Sequence, residues 1–233
     1  MLIFALDSTA AVGSVALCRD GDAIASFTLK NGNTHSETLL PMAKALFDVT
    51  GYTPDDVDLF ACSVGPGSFT GVRIGAATVK GLTFGKNKTV IGVSTLEAMA
   101  QNLLPAVGLI CPVMNARRGQ VYNALFYAEG ERLSRLCPDR ALAVGELEAE
   151  LISRGEPFYL VGDGVEVTRA AFKVLTPLPI TALAAEQNAI GVAACAYRLY
   201  QSGVRTTDKE LTPTYLRLPQ AERERLDREK AKK

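Results

Sequence analysis

Residues 65–75 read Gly-Pro-Gly-Ser-Phe-Thr-Gly-Val-Arg-Ile-Gly, between the apolar run Asp58–Val64 and a helical pattern. A strand, a glycine turn and a helix start make an anion cradle, because the first N–H groups of a helix point outward without partners. The residues that complete phosphate chemistry are missing. Gly71 is followed by Val72 and Arg73, not by the Lys and Ser/Thr pair of a P-loop, and the third glycine comes one residue late for Gly-x-Gly-x-x-Gly. The loop has the architecture of a phosphate site without the usual chemistry.

Asp7, at the tip of an apolar strand and followed by Ser8 and Thr9, could hold a metal or a water near phosphates. Judged alone, an Asp in this place more often caps a hairpin turn. His35 is the only histidine, so a two-histidine metal site is excluded. Ser68 is the obvious nucleophile for a histidine base, but residues 66–70 are not the Gly-x-Ser-x-Gly elbow of a hydrolase. His35-Ser36 instead opens a helix, with Ser36 as N-cap. Pro41 then leaves the Glu37 carbonyl without its donor, an irregularity the sequence does not explain. Val161-Gly162-Asp163-Gly164 is a strand and turn with too few glycines for a strong nucleotide signal. Arg117 and Arg118, in the turn 115–120, could receive a phosphate or simply be solvated.

Composition limits the partners. The chain has 233 residues, zero formal net charge and no tryptophan. A domain that grips RNA alone carries a basic stripe, which is absent here before the tail. No apolar run reaches membrane-spanning length. Met1–Asp7 enters a strand pattern without a basic region, so no signal peptide is expected. Cys18, Cys62, Cys111, Cys137 and Cys195 are odd in number and widely spaced, which reads as reduced thiols in a cytoplasmic protein. Ten of the last twelve residues are charged, with both signs, either a solvated helix or a partner-binding tail.

Three strands (Leu2–Leu6, Gly13–Cys18, Ala23–Leu29) lead into a helix over Ser36–Val49, a strand at Leu59–Val64, a helix over Thr70–Phe84 and a strand at Val90–Val93. That order predicts an α/β fold with a mixed sheet. The pattern restarts near Gly108, with paired strands Leu109–Met114 and Gln120–Tyr127, helices near Gly145–Ser153 and Glu186–Tyr200, and a strand at Phe158–Val161. The restart suggests duplication, with lobes at 1–104 and 105–217 and a charged tail at 218–233.

Two of the helices are too apolar for one contact. Eight of the eleven residues Leu39–Val49 are apolar, and only Lys44 and Asp48 mark a wet stripe. In the next helix Gly71 and Gly75, then Ala77, Gly81 and Gly85, recur at four-residue spacing, which lets another helix approach closely. Either both faces are covered within the chain or the helices dock another protein. The docking candidates are Leu39, Met42, Ala43, Leu46, Ile74, Ala77, Thr78, Gly81 and Leu82.

Asp7-Ser8-Thr9 with Ser14–Leu17, His35–Pro41, Gly65–Gly75 and Pro213-Thr214-Tyr215-Leu216-Arg217 resemble the bacterial TsaB (YeaZ) family over roughly residues 1–217. The resemblance implies an actin-like, sugar-kinase-like ATPase fold of two related lobes, mixed sheets flanked by helices. It implies a role in making threonylcarbamoyladenosine beside the anticodon of ANN-decoding tRNAs. The partners implied are TsaD, the catalytic relative, and TsaE, an ATPase. A homodimer is possible for the chain alone, and tRNA is reached only through the complex. The two metal-binding histidines of the catalytic relatives fall on Thr95 and Met99, which cannot replace imidazoles. The family's acidic pair before Val121 is changed to Asn115 and Gln120. The expectation is a scaffold with no catalytic residue, metal or cofactor, and at most a vestigial nucleotide site at Asp7, Ser8, Thr9, Gly67 and Ser68. A metal-dependent ATPase or phosphotransferase, or a glycoprotease-type hydrolase of the same fold, is the alternative.

Overall fold

The computed structural model describes residues 1–217, apart from the side chains of Ala182 and Leu183. The expected charged tail at 218–233 lies outside the described residues. In the first lobe β1 (Leu2–Asp7), β2 (Gly13–Arg19) and β3 (Asp22–Leu29) form an antiparallel meander. Helix α1 (His35–Thr50) leads to β4 (Leu59–Gly65), and α2 (Phe69–Thr83) to β5 (Thr89–Ser94), both strands parallel to β1 in the order β3-β2-β1-β4-β5. After α3 (Thr95–Gln101) the plan repeats. β6 (Val107–Arg117) pairs antiparallel with β7 (Gln120–Asn123) and β8 (Phe126–Glu129). These pair in turn with β10 (Arg140–Ala143) and β9 (Arg132–Arg135). Helix α4 (Val144–Arg154) then delivers β11 (Phe158–Val161), parallel to β6, followed by α5 (Val165–Ala171), α6 (Ala182–Ala185) and α7 (Ala189–Gln201). Meander, helix, parallel strand, helix occurs twice, so the lobes are related as expected.

The alternation of β1 sets the layers, since successive side chains leave a strand on opposite faces. Leu2, Phe4 and Leu6 enter the core under α1 and α2, where Phe4 stacks on Phe47 at 5.3 Å and meets Phe60 at 5.8 Å. Ile3 and Ala5 face α7 on the other side, with Ala16, Ala61, Ala193 and Ala196. Small residues on both partners bring that helix close to the sheet.

Several boundaries need correction. The N-cap of α1 is Thr34, not Ser36, and the Glu37 carboxylate accepts from the Thr34 N–H at 3.2 Å and its hydroxyl at 2.9 Å. Pro41 and Glu37 are both exposed, so the carbonyl that Pro41 leaves unserved can bond water. The strand expected at Gln120–Tyr127 is interrupted at Ala124-Leu125. Pro112, opposite, has no N–H to give, and the Asn123 side chain fills in, donating to the carbonyls of Pro112 at 3.0 Å and Ala124 at 2.9 Å. Helices α3 and α5 and strands β9 and β10 are too short to carry a periodicity signal and are absent from the sequence reading. A cut at 104/105 does not separate the lobes either. Helix α7 covers the first sheet, Thr214 donates its N–H to the Val64 carbonyl at 2.7 Å, and Leu211 joins the first lobe's core. The chain therefore crosses back, because the α7 face of the first sheet would otherwise be bare.

Candidate functional site

A cleft of about 630 Å³ lies where the turn after β1, the glycine loop, the end of β6, Asp163 and residues 214–217 converge. That volume suits a small ligand. Its floor is fixed by Asp7, which is 1% exposed. One Asp7 oxygen accepts from the Thr9 N–H at 2.8 Å and hydroxyl at 2.7 Å, the other from Ser63 Oγ at 2.5 Å. Asp7 thus caps the turn and ties β1 to β4. Burial raises its pKa, against the opposing pull of those hydrogen bonds.

The glycine loop is filled by the chain itself. Ser68 donates its N–H to the Thr9 carbonyl at 2.7 Å, and the Ser8 hydroxyl donates to the Gly71 carbonyl at 2.9 Å. A Cβ on Gly67 would stand 2.6 Å from the Thr9 carbonyl oxygen, on Gly71 2.0 Å from that of Ser8, and on Gly75 2.5 Å from Ser8 Oγ. These three glycines, four residues apart, form one seam against the Ser8-Thr9 turn. Ser68 Oγ caps α2 by accepting from the Gly71 N–H at 3.2 Å. The Ser68 and Gly71 amides of the expected anion cradle thus serve the chain's own atoms. Among the nucleotide candidates Thr9, Gly67 and Ser68 line the cleft, whereas Asp7 and Ser8 are buried beneath its wall.

The charged groups of the wall are Arg117, Arg217 and Asp163. Arg217 is tethered, donating to the Ala116 carbonyl at 2.8 Å. Asp163 faces the opening, yet the surrounding walls desolvate it enough to raise its pKa. Arg117 and Arg118 adopt left-handed φ values of 62° and 56° in the β6–β7 turn, with the Arg117 N–H on Asn115 Oδ1 at 2.8 Å. His35 is not in the wall. Its Nε2–H donates to the Ala10 carbonyl at 2.6 Å and holds the turn from behind. Thr95 and Met99 are buried in the core.

The docking candidates divide between core and surface. Leu39, Met42, Ala43 and Leu46 are buried against the first sheet and are corrected to core, with Leu46 0% exposed. The apolar excess of α1 surfaces instead at Leu40 and Val49, which are 57% and 69% exposed. On α2, Ala77 and Gly81 are exposed, Ile74, Thr78 and Leu82 half-buried, and nothing lies within 4 Å of a Cβ built on Gly81. Phe84, 81% exposed, closes the row. The sequence reading omits Leu40, Val49 and Phe84; the first two lie within the over-apolar stretch, whereas Phe84 stands alone at the helix end.

A protein-family model described as TsaD, tRNA N6-adenosine threonylcarbamoyltransferase, matches residues 30–224. The tRNA threonylcarbamoyladenosine biosynthesis protein TsaB of Bacillus subtilis (strain 168) is 29% identical across 99% of this chain and 100% of its own length. The protein of the same description in Escherichia coli (strain K12) is 40% identical over 53% of this chain and 54% of its own. The solved structure of YeaZ from Pseudomonas aeruginosa superposes with a TM-score of 0.77 at 25% identity, over 92% of this chain and 99% of that one. These likenesses and the repeated topology bear out the two-lobed α/β fold of mixed sheets flanked by helices. The chain belongs to the family that this model describes and, within it, to the TsaB (YeaZ) family.

Proposed function

We propose that this chain is a scaffold subunit, without catalysis of its own, in the making of threonylcarbamoyladenosine in ANN-decoding tRNAs. It docks on a TsaD-type transferase through the outer side of α1 and α2. The observation that carries the docking is the exposed side of α2, where Ala77 and Gly81 form a shallow row followed by Phe84, with Leu40 and Val49 exposed on α1. Small exposed residues on a helix admit another helix closely, and the apolar Phe84 at its end adds contact area for a partner. The names of the relatives support the pathway, and family membership supports a TsaD-type partner. A TsaE-type ATPase is the third component, self-pairing uses the same face when the chain is alone, tRNA is reached through the complex, and the setting is the cytoplasm. The lack of catalysis is supported by Thr95 and Met99 being packed in the core and by His35 and Ser68 being engaged by the backbone.

Gly81→Leu tests the docking. A Cβ at this exposed position meets nothing within 4 Å, and leucine raises helix propensity by about 1 kcal/mol, so the melting temperature is expected to hold or rise. Co-purification with the TsaD-type subunit is lost. Unchanged co-purification would exclude this face as the interface, and turnover of ATP with a divalent metal, or of a glycoprotein, by the isolated chain would revive the enzyme reading.

A further inference from the structure

We infer that Arg73 is a carboxylate anchor of the docking face, presenting its guanidinium to an Asp or Glu side chain on the transferase helix that lies against α2. This rests on the docking reading above. Arg73 is exposed, and its guanidinium carbon lies 3.8 Å over the Phe69 ring and 5.6 Å from that of Tyr215. Its Nε–H donates to the Tyr215 hydroxyl at 2.8 Å. The two rings are themselves 4.7 Å apart, so the side chain is clamped one turn back along α2. Among the described residues both terminal nitrogens lack a partner and Arg73 makes no ion pair. The position does nothing for the helix, because a cation over the first turn opposes the dipole.

An exposed ion pair is usually weak, since two long side chains must be ordered to form it and solvent screens it. Here the first cost is already met. The clamp fixes the guanidinium fork, which matches the two oxygens of a carboxylate. Arg73, Ala77 and Gly81 follow one another at four-residue steps, all exposed, so a helix crossing the small residues passes beside the guanidinium and excludes water from it. Tyr215 belongs to the segment that joins the lobes, through Thr214 to Val64 and Arg217 to Ala116. The orientation of the anchor is therefore set by the closed interlobe contact.

The test uses the full chain and its TsaD-type partner, with affinity measured by calorimetry at low and high salt and each variant melted by circular dichroism. Arg73→Ala is expected to weaken association roughly 30-fold or more and to flatten its salt dependence, with melting unchanged. Arg73→Lys restores only part, because an ammonium lacks the fork. Arg73→Glu abolishes pairing, and replacement of one acidic residue on the partner's helix by Arg restores it. If Arg73→Ala and Arg73→Glu pair like wild type while Gly81→Leu does not, the anchor is overturned and the docking face stands. If Gly81→Leu also pairs, the docking reading falls with it. A lowered melting temperature in Arg73→Ala with unchanged affinity would mean that Arg73 only fastens Tyr215 to α2, which also overturns the anchor.

Discussion

Both carboxylate oxygens of Asp7 are used inside the protein, where Thr9 and Ser63 donate to them. Burial nonetheless raises the pKa above the ordinary 3.8. For a group whose folded pKa is raised, the stabilising contribution is full below the unfolded value and is lost as pH rises through the folded value. Asp7→Asn has nearly the same shape, keeps an acceptor for Thr9 and carries no charge to desolvate. Wild type is therefore expected to gain stability over Asp7→Asn as the pH falls from neutrality toward 3.8. Urea melts along that range check it, and a constant difference would mean that ionised Asp7 costs the fold nothing. The buried thiols of Cys18, Cys62, Cys111 and Cys195 are pushed up to about 12, which keeps them protonated and inert.

Helix α2 carries two kinds of glycine, and they predict opposite responses. At Gly71 a methyl group would meet the Ser8 carbonyl oxygen at 2.0 Å, a backbone atom that cannot swing aside. Gly71→Ala is expected to destabilise by about 1–3 kcal/mol despite the better helix propensity of alanine. Gly81→Ala meets nothing and should stabilise by up to about 1 kcal/mol. Equilibrium urea melts of the pair decide it, and equal effects would dissolve the distinction between seam and outer face. In α1 the same logic places Leu46 in the core, so Leu46→Glu is expected to destabilise the fold itself, a loss that urea melts would show.

The two lobes also meet through a polar contact. Glu97 on α3 accepts from Arg135 of β9 at 2.7 Å and from Arg198 of α7, and Asp139 accepts from Arg135 at 2.6 Å and Ser94 at 2.6 Å. The whole chain is formally neutral, and the wall of the cleft sets two arginines against one aspartate. Nonspecific RNA affinity comes from clustered positive charge displacing counterions. The isolated chain is therefore expected to bind tRNA more weakly than micromolar at physiological salt, and the assembled complex to bind better. Filter binding checks this, with micromolar or tighter binding by the chain alone as the contrary result.

Apolar periodicity determined the strands β1 to β5, the helices α1, α2 and α7, and the duplication, because burial needs repeat along the chain at 2.0 and 3.6 residues. The resemblance sets Thr95 and Met99 where the catalytic relatives carry metal-binding histidines, and their side-chain types were legible without a structure. What tertiary structure decided is direction. Gly71 and Gly75 read as part of a ridge for another helix until Ser8, far away in sequence, is found against them. Leu46 and Leu40 are the same residue type six positions apart, yet one faces the sheet and the other solvent. The Arg73 clamp needs Tyr215, 142 residues away, and the return of α7 to the first sheet leaves no local mark. A sequence records which residues need burial or partners; only the packed chain settles which neighbour meets each need, because contacts across many residues depend on the whole topology.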